Sequence, residues 1–111
     1  MGIDKGTAEG LIQELRRGTL VISVLSQLKE AQYGYSLVQN LSDKGLDIEQ
    51  NTLYPLLRRL EKQGLLISDW EVTGTRPRKY YLLSEDGQEM LSFLKDEWDK
   101  IANVVGKLLE D

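Results

Sequence analysis

The chain has 111 residues, with 14 Lys and Arg against 18 Asp and Glu, and neither Cys nor His. One domain with an ordinary core is expected at this length; without Cys there is no disulfide or thiolate chemistry, and without His no nucleophile–imidazole triad and almost no transition-metal ligand set, so no cofactor, metal or catalytic residue is expected. The net charge of −4 counts against a polyanionic partner until its distribution along the chain is known.

Leu11, Leu15, Leu20, Val21, Val24, Leu25 and Leu28 recur at helical spacing, with Gly18 and Thr19 as a break, which predicts one long helix or two consecutive ones. Tyr33-Gly34-Tyr35-Ser36 opens a shorter helix that carries Leu37, Val38 and Leu41 inward and stops at Gly45, a residue suited to a left-handed cap. Five residues from Leu46 then lead into a third helix beginning at Asn51 or Thr52, where either side chain can cap the free backbone N–H groups.

That helix is the best-defined element. Leu53, Leu56, Leu57 and Leu60 fall at i, i+3, i+4 and i+7 and share a core face. At about 100° per residue, Asn51, Pro55, Arg58 and Lys62 occupy the opposite face, flanked by Tyr54 and Arg59. Pro55 is placed in the first turn, where its missing N–H costs little, and Gly64 ends the helix.

From Leu65 the pattern turns extended. Leu66, Ser68, Trp70 and Val72 form one strand and Lys79 to Leu83 a second, joined by a tip, Thr73 to Arg78, that carries Gly, Pro and two exposed arginines. The two form a hairpin in which Tyr80 and Tyr81 point to opposite faces, one to the core and the other outward. Ser84 caps a last helix, with Gly87 at its third position and Glu85 and Asp86 at the positive end of the dipole, which accounts for those carboxylates without acid–base chemistry. Leu91, Leu94, Trp98, Ile101, Val105 and Leu108 follow at spacings of 3, 4, 3, 4 and 3, a heptad seam that can pack on the first helix or on a second copy of itself. No apolar run reaches the ~20 residues of a membrane span and the first ten residues are too polar for a secretion signal, so a cytoplasmic protein with no membrane partner is expected.

Divided by segment, the charge is −2 over residues 1–49, +3 over 50–83 and −5 over 84–111. The positive segment coincides with the third helix and the hairpin, and exposed charges act only within about 8–10 Å, so the whole-chain value does not decide the partner. The expected fold is mostly α with a small β-hairpin (α+β): a winged helix-turn-helix over residues 1–83 followed by a dimerisation helix over 84–111, together one compact domain. Arg58, Arg59 and Lys62 with the wing arginines are the candidate DNA-facing cations. The competing expectation, from the acidic balance and the −5 terminal segment, is a winged-helix protein-interaction module.

Three stretches, Tyr33-Gly34-Tyr35, Thr52 through Leu66 and Arg76 through Ser84, resemble the PadR-type transcriptional regulators, in particular the short subgroup with a single C-terminal helix. The resemblance spans roughly Leu15 to Leu108. It implies a homodimeric repressor that binds an inverted-repeat operator in double-stranded DNA and dimerises through its C-terminal and first helices. It also implies DNA-facing positions at Tyr35, Asn51, Thr52, Tyr54 and Arg58 in the helix-turn-helix and at Arg76, Arg78 and Lys79 in the wing. Where the family's wing often has paired glycines, this chain has Thr73-Gly74-Thr75. Some family members of this size hold planar hydrophobic effectors at the dimer interface, which makes Trp98 on the seam the candidate effector-binding residue.

Overall fold

The computed structural model describes residues 2–72 and 74–111. Helix α1 (Lys5–Arg17) is followed by α2 (Leu20–Ser26), the break falling at Gly18 and Thr19 as the sequence indicated. Asp4 caps α1 by accepting from the Thr7 backbone N–H at 2.8 Å, and that bond, with a second from the Thr7 hydroxyl, lowers the Asp4 pKa. A two-residue strand β1 (Gln32–Tyr33) leads directly into α3 (Gly34–Asp43), and α4 (Gln50–Lys62) follows after a short loop. Strands β2 (Leu66–Glu71) and β3 (Arg78–Leu83) form the hairpin, and α5 (Glu85–Leu109) closes the chain.

Both α3 and α4 end in the same way. Gly45 and Gly64 take φ of +99° and +80°, which glycine adopts without steric cost. This lets Leu46 and Leu65 donate back to the carbonyls of Leu41 and Leu60 at 2.8 and 3.0 Å, the bond pattern of a Schellman motif. Each motif returns a leucine to the core just after its helix stops.

The start of α4 differs from expectation. It begins at Gln50 behind Glu49, and neither Asn51 nor Thr52 caps it; the Glu49 carbonyl instead accepts from the N–H groups of Thr52 and Leu53 at 3.0 and 2.9 Å. Pro55 is therefore the sixth helical residue rather than a first-turn one, and the carbonyl of Asn51 receives no N–H from position 55. Tertiary packing outweighs this cost: Leu53, Leu56, Leu57 and Leu60 are all buried, at about 1.5–3 kcal/mol for each side chain removed from water.

The sheet has three strands in the order β1-β3-β2, all antiparallel, one more than the expected hairpin. Gln32 and Tyr33 pair with Tyr81 and Tyr80, which ties the wing to the front of α3 and supports a hairpin that would be marginal by itself. Tyr81 is the core tyrosine, 5% exposed, and Tyr80 takes the outer face. Trp70, on the same face of β2 as the buried Leu66, is 57% exposed.

The core is built of Val24, Leu25, Leu28, Leu37, Leu41, the four leucines of α4, Leu65, Leu66, Tyr81 and Leu83. Ser84 fastens α5 to it: its Oγ accepts from the Gly87 N–H at 2.9 Å and donates to the Gly64 carbonyl at 2.6 Å, while its N–H donates to the Leu65 carbonyl at 3.0 Å. Leu91 and Leu94 then pack half-buried on this core, but Trp98, Ile101, Val105 and Leu108 are exposed, and α1 buries no residue. The Cα radius of gyration is 16.6 Å, against about 13 Å for a compact chain of this length, because α1 and the distal half of α5 project away from the core.

Candidate nucleic-acid interface

The exposed side of α4 presents Asn51, Thr52, Pro55, Arg58, Arg59 and Lys62. Among the described residues no ion pair engages Arg58, Arg59, Lys62 or the wing-tip Arg76, so these charges face solvent. Arg58, Arg59 and Lys62 line a cleft with Pro55, Glu61 and Lys79, where the recognition side of the helix meets the base of the wing. The cleft holds four cations and one carboxylate. Glu61 orders it: one carboxylate oxygen lies 3.6 Å from Lys79 Nζ and the other accepts from the Ser68 hydroxyl. Lys79 is further held over the rings of Tyr81 at 5.4 Å and Trp70 at 5.9 Å.

A second cleft, between the start of α3 and the wing, collects Tyr33, Gly34, Tyr35, Tyr54, Arg78, Lys79 and Tyr81. The ring of Tyr54 crosses Gly34 so closely that a Cβ on residue 34 would fall inside the ring's van der Waals envelope, which explains a glycine at the first position of a helix. Tyr33 and Tyr35 stack, with centroids 5.6 Å apart and planes 3° from parallel. Arg78 lies 4.8 Å above the Tyr33 ring, donates from Nη1 to the Tyr35 hydroxyl at 3.2 Å and pairs through Nη2 with Glu71 at 3.5 Å. The Tyr33 hydroxyl donates to the other oxygen of Glu71. That bond, available to the neutral phenol alone, raises the Tyr33 pKa, and the bond to Tyr35 raises that of Arg78.

Residues 21–92, spanning the second helix through the first turns of α5, match the sequence profile of the transcriptional regulator PadR-like family. The chain belongs to that family. A PadR-family transcriptional regulator from Eggerthella lenta is 52% identical to it, with a TM-score of 0.91 and 95% and 94% of the two chains covered. A transcriptional regulator of Mycobacterium tuberculosis is 30% identical over 85% of this chain and 89% of its own. The Bacillus subtilis PadR solved in complex with operator DNA shares the fold at a TM-score of 0.63 and 22% identity, over 68% of this chain and 45% of that one. PadR-family proteins are transcriptional regulators and not enzymes.

Of the positions that the PadR resemblance marks, Tyr35, Tyr54, Arg78 and Lys79 share the cleft beside the wing, and Arg58 and Lys79 share the one beneath it with Lys62, which the helix face had indicated. Asn51 is exposed at the front of α4. Thr52 lies on the other flank of the helix, in a depression with Arg17, Leu20, Val21, Pro55, Leu56 and Arg59. Arg76 stands at the exposed tip beside Gly74, whose φ is +100°; Thr73 of the Thr73-Gly74-Thr75 turn lies outside the described residues. The sequence reading assigned no role to Tyr33, Glu61 or Glu71, which hold the wing cations. The Tyr33–Glu71 bond spans 38 residues, beyond any local pattern, and the pairs Glu71–Arg78 and Glu61–Lys79 depend on strand register and on where α4 lies over the sheet.

Proposed function

We propose that this PadR-family regulator is a cytoplasmic, homodimeric repressor that binds an inverted-repeat operator in double-stranded DNA. The observation that carries the reading is the set of cations on α4 and at the wing tip, Arg58, Arg59, Lys62 and Arg76, that have no ion-pair partner among the described residues and lie on the surface of a chain whose net charge is −4. A helix of 13 residues is about 20 Å long and enters a major groove about 12 Å wide, with Arg58 and Tyr54 near base edges and Asn51, Thr52 and Lys62 near the phosphates. The wing, through Arg76, Arg78, Lys79 and Tyr35, then lies on the adjacent backbone. The operator complex of the Bacillus subtilis PadR supports this use of the fold.

The exposed half of the α5 seam, Trp98, Ile101, Val105 and Leu108, with Leu91 and Leu94 at its root, supplies the dimer interface together with the exposed Leu11, Ile12 and Leu15 of α1. Apolar rows of this length on two projecting helices are rare on a monomer. A planar hydrophobic effector held against Trp98 at that interface would relieve repression. Among the described residues no helix is long and apolar enough to cross a membrane. The reading is tested by titrating labelled upstream DNA with the protein at moderate salt in excess random competitor. A complex that survives the competitor is expected; equal displacement by random DNA would refute the reading.

A further inference from the structure

Arg78 differs from the other candidate DNA-facing arginines in already carrying an anion. Glu71 is its cross-strand partner, and the carboxylate lies 3.5 Å from Nη2, the place on the guanidinium that a phosphate oxygen would take. The other carboxylate oxygen accepts from Tyr33, whose ring stacks with Tyr35 beneath the same guanidinium, so the anion is held from both β1 and β3. A phosphate arriving at Arg78 therefore meets Glu71 first. We propose that Glu71 is a built-in competitor for DNA: the wing grips the backbone through Arg78 only by exchanging the Glu71 carboxylate for a phosphate, so Glu71 lowers affinity for any duplex. This inference rests on the DNA-binding reading above.

The exchange has two measurable marks. The Arg78–Glu71 pair is partly exposed, and pairs of this kind correspond to about 1.5- to 5-fold in an equilibrium constant. An Arg78 that still answers to the Glu71 carboxylate neutralises less than a full phosphate charge, so without Glu71 the salt slope steepens by up to about 0.9. A sequence-independent gain is expected because the contact is to backbone and not to a base edge.

The test measures binding of the full-length chain to a fluorescein-labelled duplex of random sequence, and to operator DNA, over a series of KCl concentrations. Glu71→Gln removes the charge and keeps an acceptor for Tyr33; it is expected to tighten binding to both duplexes by about 1.5- to 5-fold with a steeper salt slope. Glu71→Ala, which also loses the Tyr33 bond, is expected to show the same gain, and the gain is expected to vanish in an Arg78→Ala background. Glu71 variants that bind no better than the parent would overturn the proposal, as would a gain that persists without Arg78, which would be general repulsion. A lower melting temperature together with weaker binding in both Glu71 variants would assign Glu71 a structural role instead. Failure of the parent chain to bind either duplex would refute the DNA-binding reading and this proposal together, whereas parental binding without the gain refutes this proposal alone.

Discussion

Gly87 sits where the last helix is clamped to the core, and replacing it tests how that clamp works. A Cβ at residue 87 would penetrate the carbonyl oxygen of Leu65, approach the carbonyl carbon to 3.0 Å and lie 3.2 Å from Leu83 Cδ2. The obstacle is backbone, and that backbone is already engaged, since the Leu65 carbonyl accepts from the Ser84 N–H at 3.0 Å. Relief requires the first turn of α5 to move off Leu65, in the turn between α4 and β2, which strains the Ser84 cap. Overpacking of this kind costs about 1–3 kcal/mol, a weakened cap adds about 1 kcal/mol, and the better helix propensity of Ala returns about 1 kcal/mol. The expected net loss for Gly87→Ala is about 1–3 kcal/mol, or roughly 4–15 °C in Tm. Gly106, in the same helix with nothing within 4 Å of its Cβ position, is the control: Gly106→Ala is expected to gain up to about 1 kcal/mol. Thermal unfolding followed by circular dichroism at one fixed protein concentration measures both. If Gly87→Ala melts at or above the parent temperature, the clamp is not as described.

Three further predictions concern the surface. Arg58→Ala is expected to weaken operator binding by about 1–3 kcal/mol and relax preference at one base pair, whereas Lys62→Ala is expected to weaken all duplexes alike and flatten the salt slope by about 0.9; competition titrations in several salt concentrations separate the two. In the exposed seam, Ile101→Lys is expected to convert the proposed dimer to a monomer while leaving the monomer's circular dichroism unchanged, because Ile101 is exposed in the single chain; sedimentation equilibrium at micromolar concentration reads the outcome. Ultraviolet titration of the phenols is expected to show Tyr33 ionising above the ordinary phenol value, and Glu71→Ala, which removes the acceptor, to take away most of that delay, since the Tyr33 pKa is raised mainly by its bond to Glu71. A raised folded-state pKa means that this bond stabilises the fold fully below the unfolded phenol value of about 10, and that the stabilisation is lost as pH rises through the higher folded value.

The helices were legible because their signals are local. The four leucines of α4 share a face at any plausible starting residue, Gly45 and Gly64 mark their stops by backbone freedom alone, and Ser84 with Gly87 marks the start of α5 within four residues. The start of α4 was misplaced because Asn51 and Thr52 carry good capping side chains, yet the chain turns one residue earlier on the Glu49 carbonyl. Strand β1 was invisible at two residues long, and its existence follows from the register of Tyr33 on Tyr80. Within the candidate interface, which residues are cationic was plain; which cations are already neutralised was not. Arg78 and Lys79 are adjacent in sequence but point to opposite faces of β3, so one meets Glu71 across the hairpin and the other meets Glu61 on α4. Such pairings depend on strand register and on where a helix lies over the sheet.

Selection of bound DNA from a random duplex pool by the full-length protein tests the central claim most directly, because it reads DNA binding, sequence preference and dimer symmetry at once. Enrichment of inverted repeats whose half-sites lie about one helical turn, roughly 10 base pairs, apart is the expected result. A pool that stays unenriched after several rounds, or that yields only isolated single sites, would contradict a homodimer reading its operator through α4 and the wing.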